Sequence, residues 1–213
     1  MSLDLAVLIA FANFAFVASI TPGPNNLMVL ASGAAFGMRA TLPHIAGIAL
    51  GFAVMLSAVV LGLGAVLDQY PMIWSVLKWG GVIWLCYLAW QLARPALFWT
   101  PSTGTAASEA QKARPMTLIE AALFQWVNPK AWAMALAVTL AYSDIAAMAW
   151  QRALVMSLVF AAIAPLCNGT WLVAGRALRT LLANDVWGRI ALLIMSALIV
   201  ISALLIALDG RWS

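Results

Sequence analysis

The sequence predicts an all-α integral membrane protein: six transmembrane helices arranged as two inverted three-helix repeats, with the first and fourth helices broken at proline motifs. Three observations carry this. The 213 residues are 65% hydrophobic and only 8% charged, with a mean hydropathy of +1.00, a balance that soluble domains of this size do not sustain. Apolar runs able to cross a ~30 Å hydrocarbon core recur six times between turn and charge signals, at roughly 3–36, 43–67, 72–93, 117–141, 150–175 and 187–208. Of the nine prolines, those at 43, 71, 95, 101 and 115 mark run edges, whereas those at 22, 24, 129 and 165 lie inside apolar sequence.

The first run cannot be one straight helix. Leu3 to Phe36 would measure on the order of 50 Å at ~1.5 Å per residue, and Thr21-Pro22-Gly23-Pro24-Asn25-Asn26 interrupts it. The two prolines remove two amide donors, push Thr21 and Gly23 out of the α region, and leave the carbonyls of Ala18 and Ile20 without helical partners. Thr21 or Gly23 can cap a second helix, with Pro22 or Pro24 at its first position. Broken backbone at membrane depth is tolerated only against protein or a polar cavity. A new helix therefore starts mid-membrane with the positive end of its dipole facing the break, the arrangement transporters use for anionic groups.

The fourth run repeats the device. Gln125-Trp126-Val127-Asn128-Pro129-Lys130 lies about 11 residues in, near the bilayer middle. Asn128 reads as a cap, Pro129 as the first helical position, and the carbonyl of Gln125 as stranded. In the fifth run Pro165 bends the helix and sets Asn168 near the carbonyl freed at Ala161, for packing or for ligand contact. Gly33/Gly37 and Gly47/Gly51 are spaced for close helix packing.

Between the halves, the polar stretch from Thr100 to Pro115 reads as a flexible linker. It divides a single transporter domain (1–213) into a first half (1–95), a cytoplasmic linker (96–116) and a second half (117–213). Three spans per half force the halves into opposite orientations. Seven of the eleven basic residues, Arg39, Arg94, Lys112, Arg114, Arg176, Arg179 and Arg189, fall in or beside alternate loops, against Arg152 and Arg211 on the other side. The positive-inside rule then places both termini outside and Ser102 to Ala113 in the cytoplasm. Trp74, Trp99, Trp150, Trp187 and Trp212 suit interfacial anchoring. Asp4 without an N-terminal Lys or Arg argues against a cleaved signal. No basic stripe with interleaved aromatics exists, so nucleic acid is excluded as a partner. Cys86, Cys167 and the single histidine, His44, do not make a metal site. No enzyme activity and no cofactor are expected.

Lys130 is the sharpest residue, because a cation at this depth is costly and marks a translocation path unless it snorkels or pairs. Glu120, ten residues earlier, is ~15 Å away along a helix. Asn25, Asn26, Gln125 and Asn128 supply donors and acceptors at the same depth, for substrate or to mend the backbone. A zwitterion would use both kinds of group: helix N-termini and Lys130 for its carboxylate, freed carbonyls and amide oxygens for its ammonium. Glu120 and His44 are the titratable candidates near the cytoplasmic mouth for coupling to protons, and interfacial solvation explains them equally.

Taken together, Ile20-Thr-Pro-Gly-Pro-Asn-Asn26, the Gly37-Met-Arg39 turn, Gly47-Ile-Ala-Leu-Gly51, Leu77-Lys-Trp79 with Tyr87-Leu-Ala, and Asn128-Pro-Lys-Ala131 resemble the LysE/RhtB-type amino-acid exporters over nearly the whole chain. The resemblance implies an inner-membrane secondary carrier that exports amino acids or close derivatives on the proton gradient. It implies a site at Pro22, Gly23, Pro24, Asn25, Asn128, Pro129 and Lys130, to which the residue chemistry adds Thr21, Asn26, Gln125 and Asn168. Trp84 is bulkier than the pattern expects, which leaves pocket size and substrate open. The partners expected are a small zwitterionic substrate, lipid and protons, with a homo-oligomer compatible. Two other classes compete: a transmembrane thiol or electron carrier using Cys86 and Cys167, which lack neighbours that would tune a thiol, and a passive small-solute channel.

Overall fold

The computed structural model describes residues 5–63, 69–98, 114–182 and 185–208. Within them all regular structure is helical and no strand forms. Helix α1 (Leu5–Ile20) ends where Pro22 forces the chain out of the α region, and α2 (Pro24–Phe36) starts at the second proline, the pair meeting at a 56° bend. Gly37, at φ 83, turns the chain between α2 and α3 (Met38–Ala58), a conformation that costs glycine nothing. A π-helical turn, Val59–Leu63, extends α3. Helix α4 (Pro71–Leu97) comes next, then α5 (Leu118–Val127), α6 (Pro129–Ala141), a 3₁₀ turn (Ser143–Ile145), α7 (Ala149–Leu182) and α8 (Asp185–Leu208).

Several boundaries differ from expectation. The second span starts at Met38, because the Gly37 turn restarts the helix there; Pro43 therefore sits inside α3, where it removes one helical bond rather than marking an edge. Gly37 is accordingly a joint between the two helices. The fifth helix continues to Leu182, beyond the expected 175, since polar sequence past the apolar run still holds helical geometry. Residues 99–113 of the linker, with Trp99, and the C-terminal Trp212 lie outside the described residues.

Among the described residues four helical segments are long and apolar enough to cross a membrane (Met38–Leu63, Ser75–Arg94, Ala149–Leu178 and Val186–Leu208), and the bent α1/α2 pair makes a fifth. Helices α5 and α6 are each too short to span alone. The outer surface is apolar: Met72, Leu140 and Leu208 are each about 80% exposed, as suits lipid contact and not water. The protein is a multi-pass membrane protein.

Helix α7 packs against α1, α2, α3 and α8, α3 packs on α5, and α4 lies along α8. Small residues set these distances. A Cβ on Gly47 or Gly51 would strike the backbone of Leu118 or Ala122 in α5, and one on Gly33 would meet Leu172 of α7. The largest core cluster joins α1, α3, α6 and α7 through Phe11, Phe52, Met55, Trp132, Met156 and Phe160. These same four helices, with α2 and α5, converge on the two breaks.

Candidate functional site

At the first break every carbonyl from Phe16 to Gly23 has a partner, but few of the partners are helical. The helix closes once more with Thr21 N–H on Val17 O at 3.2 Å. The carbonyls that the prolines strand are met by side chains: Thr21 Oγ1 donates to Ala18 O at 2.9 Å, and the Trp171 indole of α7 donates to Ile20 O at 3.0 Å. The Asn26 amide donates to Ser19 O (2.9 Å) and Thr21 O (2.8 Å), and Cys167 Sγ reaches Phe16 O at 3.7 Å. Carbonyls freed at membrane depth need such partners, because lipid offers no donor. Asn26 thus mends the backbone, one of the two roles its position allowed.

The cap position of α2 is Gly23, in extended backbone (φ −177) and with no side chain to bond the first amides. Thr21 does not cap. Pro24 has no N–H, which leaves the amides of Asn25 and Asn26 as the unclosed first-turn donors at this helix end.

The second break is closed differently and by itself. Asn128 is the only residue between α5 and α6, and its side chain accepts from Lys130 N at 3.1 Å while its carbonyl accepts from Ala131 N and Trp132 N. Its own N–H returns to Gln125 O at 3.2 Å, so the Gln125 carbonyl is not stranded as the proline alone implied; a tighter turn supplies the missing donor. The Trp132 indole donates to Trp126 O at 2.8 Å. The amides at the α6 N-terminus are therefore already occupied, and the dipole there faces a filled cap.

Five hydrogen bonds tie the breaks together. Asn25 Nδ2 donates to Gln125 Oε1 at 2.9 Å and Gln125 Nε2 returns to Asn25 Oδ1 at 3.3 Å, while also donating to Ala121 O. Lys130 extends from the start of α6 across the first break, where its ammonium donates to Thr21 O (2.8 Å), Thr21 Oγ1 (2.9 Å) and Pro22 O (3.5 Å). Its stem passes over Gly23: a Cβ there would lie 2.8 Å from Lys130 Cδ.

Beside these contacts lies a cavity of about 50 Å³, room for a few water molecules. Ser19, Asn25, Asn26, Gln125, Asn128, Lys130 and Asn168 give it a polar side; Ile48, Phe52, Met134 and Phe160 give it an apolar one. Lys130 is the one charged residue in its lining. The structure thus brings Gly23, Asn25, Asn26, Gln125, Asn128, Lys130 and Asn168 to one cavity, with Thr21 and Pro22 reached through Lys130 and with Pro24 and Pro129 setting the helix starts. The apolar wall was not legible as a site, because Phe52 and Phe160 at helical spacing look like core, and they do stack edge-on at 4.8 Å.

Other candidates fall elsewhere. Glu120 is held by its own helix end: with Thr117 it forms a capping box, and Arg114 grips its carboxylate through both guanidinium nitrogens. His44 is not at a solvated mouth. It is 1% exposed, with neither ring nitrogen hydrogen-bonded, because the early start of α3 puts it in the second turn on a packed face. Trp84 is partly exposed beside Tyr87 and is absent from the cavity lining. Cys86 is exposed and Cys167 buried, both as free thiols.

Residues 16–210 match the family model of the LysE type translocators. The chain belongs to this family. Among its curated relatives, the "Cysteine/O-acetylserine efflux protein" of Salmonella typhimurium is 33% identical over 126 residues, covering 58% of this chain and 59% of the relative. The protein of the same name in Escherichia coli strain K12 is 30% identical over the same span. The chain thus aligns with about three fifths of the length of these relatives. No solved structure matches. In this LysE type translocator the two proline breaks lie within the matched region, so the cavity between them belongs to the family domain.

Proposed function

We propose that the protein is a secondary carrier that exports a small neutral amino acid or a close derivative, with the cavity between the breaks as its substrate site. The observation that carries this is the pairing, in one small cavity, of unclosed α2 amides and a lysine ammonium with freed carbonyls and amide oxygens. That set complements both ends of a zwitterion. The apolar wall of Ile48, Phe52, Met134 and Phe160 suits a short, uncharged side chain. Relatives named for efflux of cysteine and O-acetylserine, both small neutral amino acids, agree with this size and charge.

The architecture that accords with such a carrier counts α5 and α6 as one broken span. The chain then has six spans in two halves, with α1/α2 matching α5/α6, α3 matching α7 and α4 matching α8. In that arrangement the packing of α3 on α5 would correspond to that of α7 on α1. The distribution of basic residues favours termini outside the cytoplasmic membrane of a bacterium. Coupling to the proton gradient rests on the family resemblance, with His44 the buried titratable group in α3.

Counterflow in proteoliposomes tests the proposal. Vesicles loaded with unlabelled cysteine, serine or O-acetylserine should transiently concentrate the labelled compound from outside. Simple equilibration without overshoot would mean a channel, and no movement of any amino acid would overturn the carrier reading. Retained counterflow with Cys86 and Cys167 both changed to serine would exclude a thiol shuttle.

A further inference from the structure

We infer that the carbonyls of Thr21 and Pro22, with the Thr21 hydroxyl, form the subsite for the substrate's ammonium, and that the Lys130 ammonium plugs it when no substrate is bound. The inference deepens the carrier reading and rests on it for the identity of the incoming group.

The geometry is that of a primary ammonium in its binding site. Such a group has three N–H donors and no acceptor. Here Lys130 Nζ meets three oxygens, at 2.8, 2.9 and 3.5 Å, and none belongs to a carboxylate. Neutral acceptors attract a cation without cancelling its charge, so they can exchange one ammonium for another. They are also available for exchange without loss elsewhere. Ala18 O, Ser19 O and Ile20 O are held by Thr21, Asn26 and Trp171 whether Lys130 is present or not. Thr21 O keeps its bond from Asn26 when the lysine leaves. Only Pro22 O depends on Lys130 alone, and by the longest contact of the three. A departing lysine therefore leaves a ready set of acceptors and an intact break.

Loading is then a matter of charge. The substrate's ammonium takes the three oxygens, and its carboxylate lies toward the Asn25 and Asn26 amides. Lys130, displaced on a flexible stem, turns to the carboxylate, where its charge-assisted bond is worth more than a contact to neutral carbonyls. An empty carrier is plugged, and a zwitterion gives the lysine somewhere to go. A plain amine competes with the lysine but offers it no new partner.

Gly23 maintains the plug by space rather than by backbone angle, since its φ of −177 suits any residue. An added Cβ would lie 2.8 Å from Lys130 Cδ and 3.1 Å from Nζ. Those atoms are on a mobile side chain, so Gly23→Ala displaces the lysine and spares the fold.

The test measures binding of methylammonium and of alanine methyl ester, which carries an ammonium but no carboxylate, to the purified full chain by ligand-dependent thermal stabilisation. Both amines should bind about tenfold tighter to Lys130→Met than to the unaltered protein, and severalfold tighter to Gly23→Ala. Tetramethylammonium, charged but without an N–H donor, should gain nothing in either variant. Adding Thr21→Val to Lys130→Met should remove most of the gain. Unchanged or weaker amine binding in Lys130→Met, or an equal gain for tetramethylammonium, would overturn the inference. If Lys130→Met does not fold, Gly23→Ala decides by the same criteria. Failure of counterflow in the unaltered protein would instead strike the carrier reading, because amine binding is scored separately from transport.

Discussion

The two breaks are built from similar residues yet finished in different ways. In the first, three residues separate α1 from α2, the cap position is a bare glycine, and the freed carbonyls are met by side chains from as far away as Trp171. In the second, one residue separates α5 from α6, and Asn128 closes both helix ends with its own backbone and side chain. The difference lies in whose groups remain free. A break that caps itself has nothing left for a ligand, whereas one mended from outside keeps amides on one side and exchangeable oxygens on the other. The first break is thus suited to bind. The second is a rigid platform that aims Lys130 across at it.

The sharpest way to break this comparison is to remove what the second break delivers. Lys130→Met keeps the stem and drops the charge, and export should fall roughly 30- to 100-fold, the scale of losing one or two charge-assisted bonds. The check is efflux per unit of folded protein in proteoliposomes; a rate within twofold of the unaltered carrier would remove the lysine from the substrate path. A smaller and different effect is expected from Asn128→Ala. Losing a cap costs ~1 kcal/mol, so the thermal midpoint should drop by a few degrees while efflux per folded molecule changes less than threefold. Export lost outright in a well-folded Asn128→Ala protein would mean that the second break binds as well.

The smallest effect belongs to Glu120, whose partners are all local. Glu120→Gln removes the exposed ion pair to Arg114 and weakens the capping box, so stability should change little. Export and its dependence on pH should both stay as they were. A shifted pH profile with unchanged stability would return Glu120 to the coupling machinery.

A feature is legible in the sequence to the extent that its cause is local. Proline acts on its own amide and on the residue before it, so both breaks and the helix start at Pro129 could be placed from the local sequence, while the start of α2 stayed open between Pro22 and Pro24. Asn128 as cap is likewise a three-residue matter. Lys130 stood out because lysine is rare in apolar sequence, but its landing on Thr21 and Pro22 spans 109 and 108 positions and has no local signal. The same holds for Trp171 and Cys167, which mend α1 from α7 across 151 positions. Ile48, Phe52, Met134 and Phe160 were invisible as a cavity wall, because apolar side chains lining a pocket and apolar side chains filling a core have one pattern. His44 misled for a related reason: its proximity to a predicted helix end suggested water, and an earlier helix start buried it.

The central claim, that the first break is the binding element and the second its support, is tested most directly by comparing two variants in one efflux assay. Pro22→Ala with Pro24→Ala restores two backbone donors and lets α1 run toward α2, which removes the exchangeable carbonyls. At equal amounts of folded, reconstituted protein, efflux of preloaded cysteine or O-acetylserine should fall to background in that double variant and remain within threefold of normal in Asn128→Ala. The reverse order, with the double proline variant still exporting and Asn128→Ala silent, would contradict the assignment.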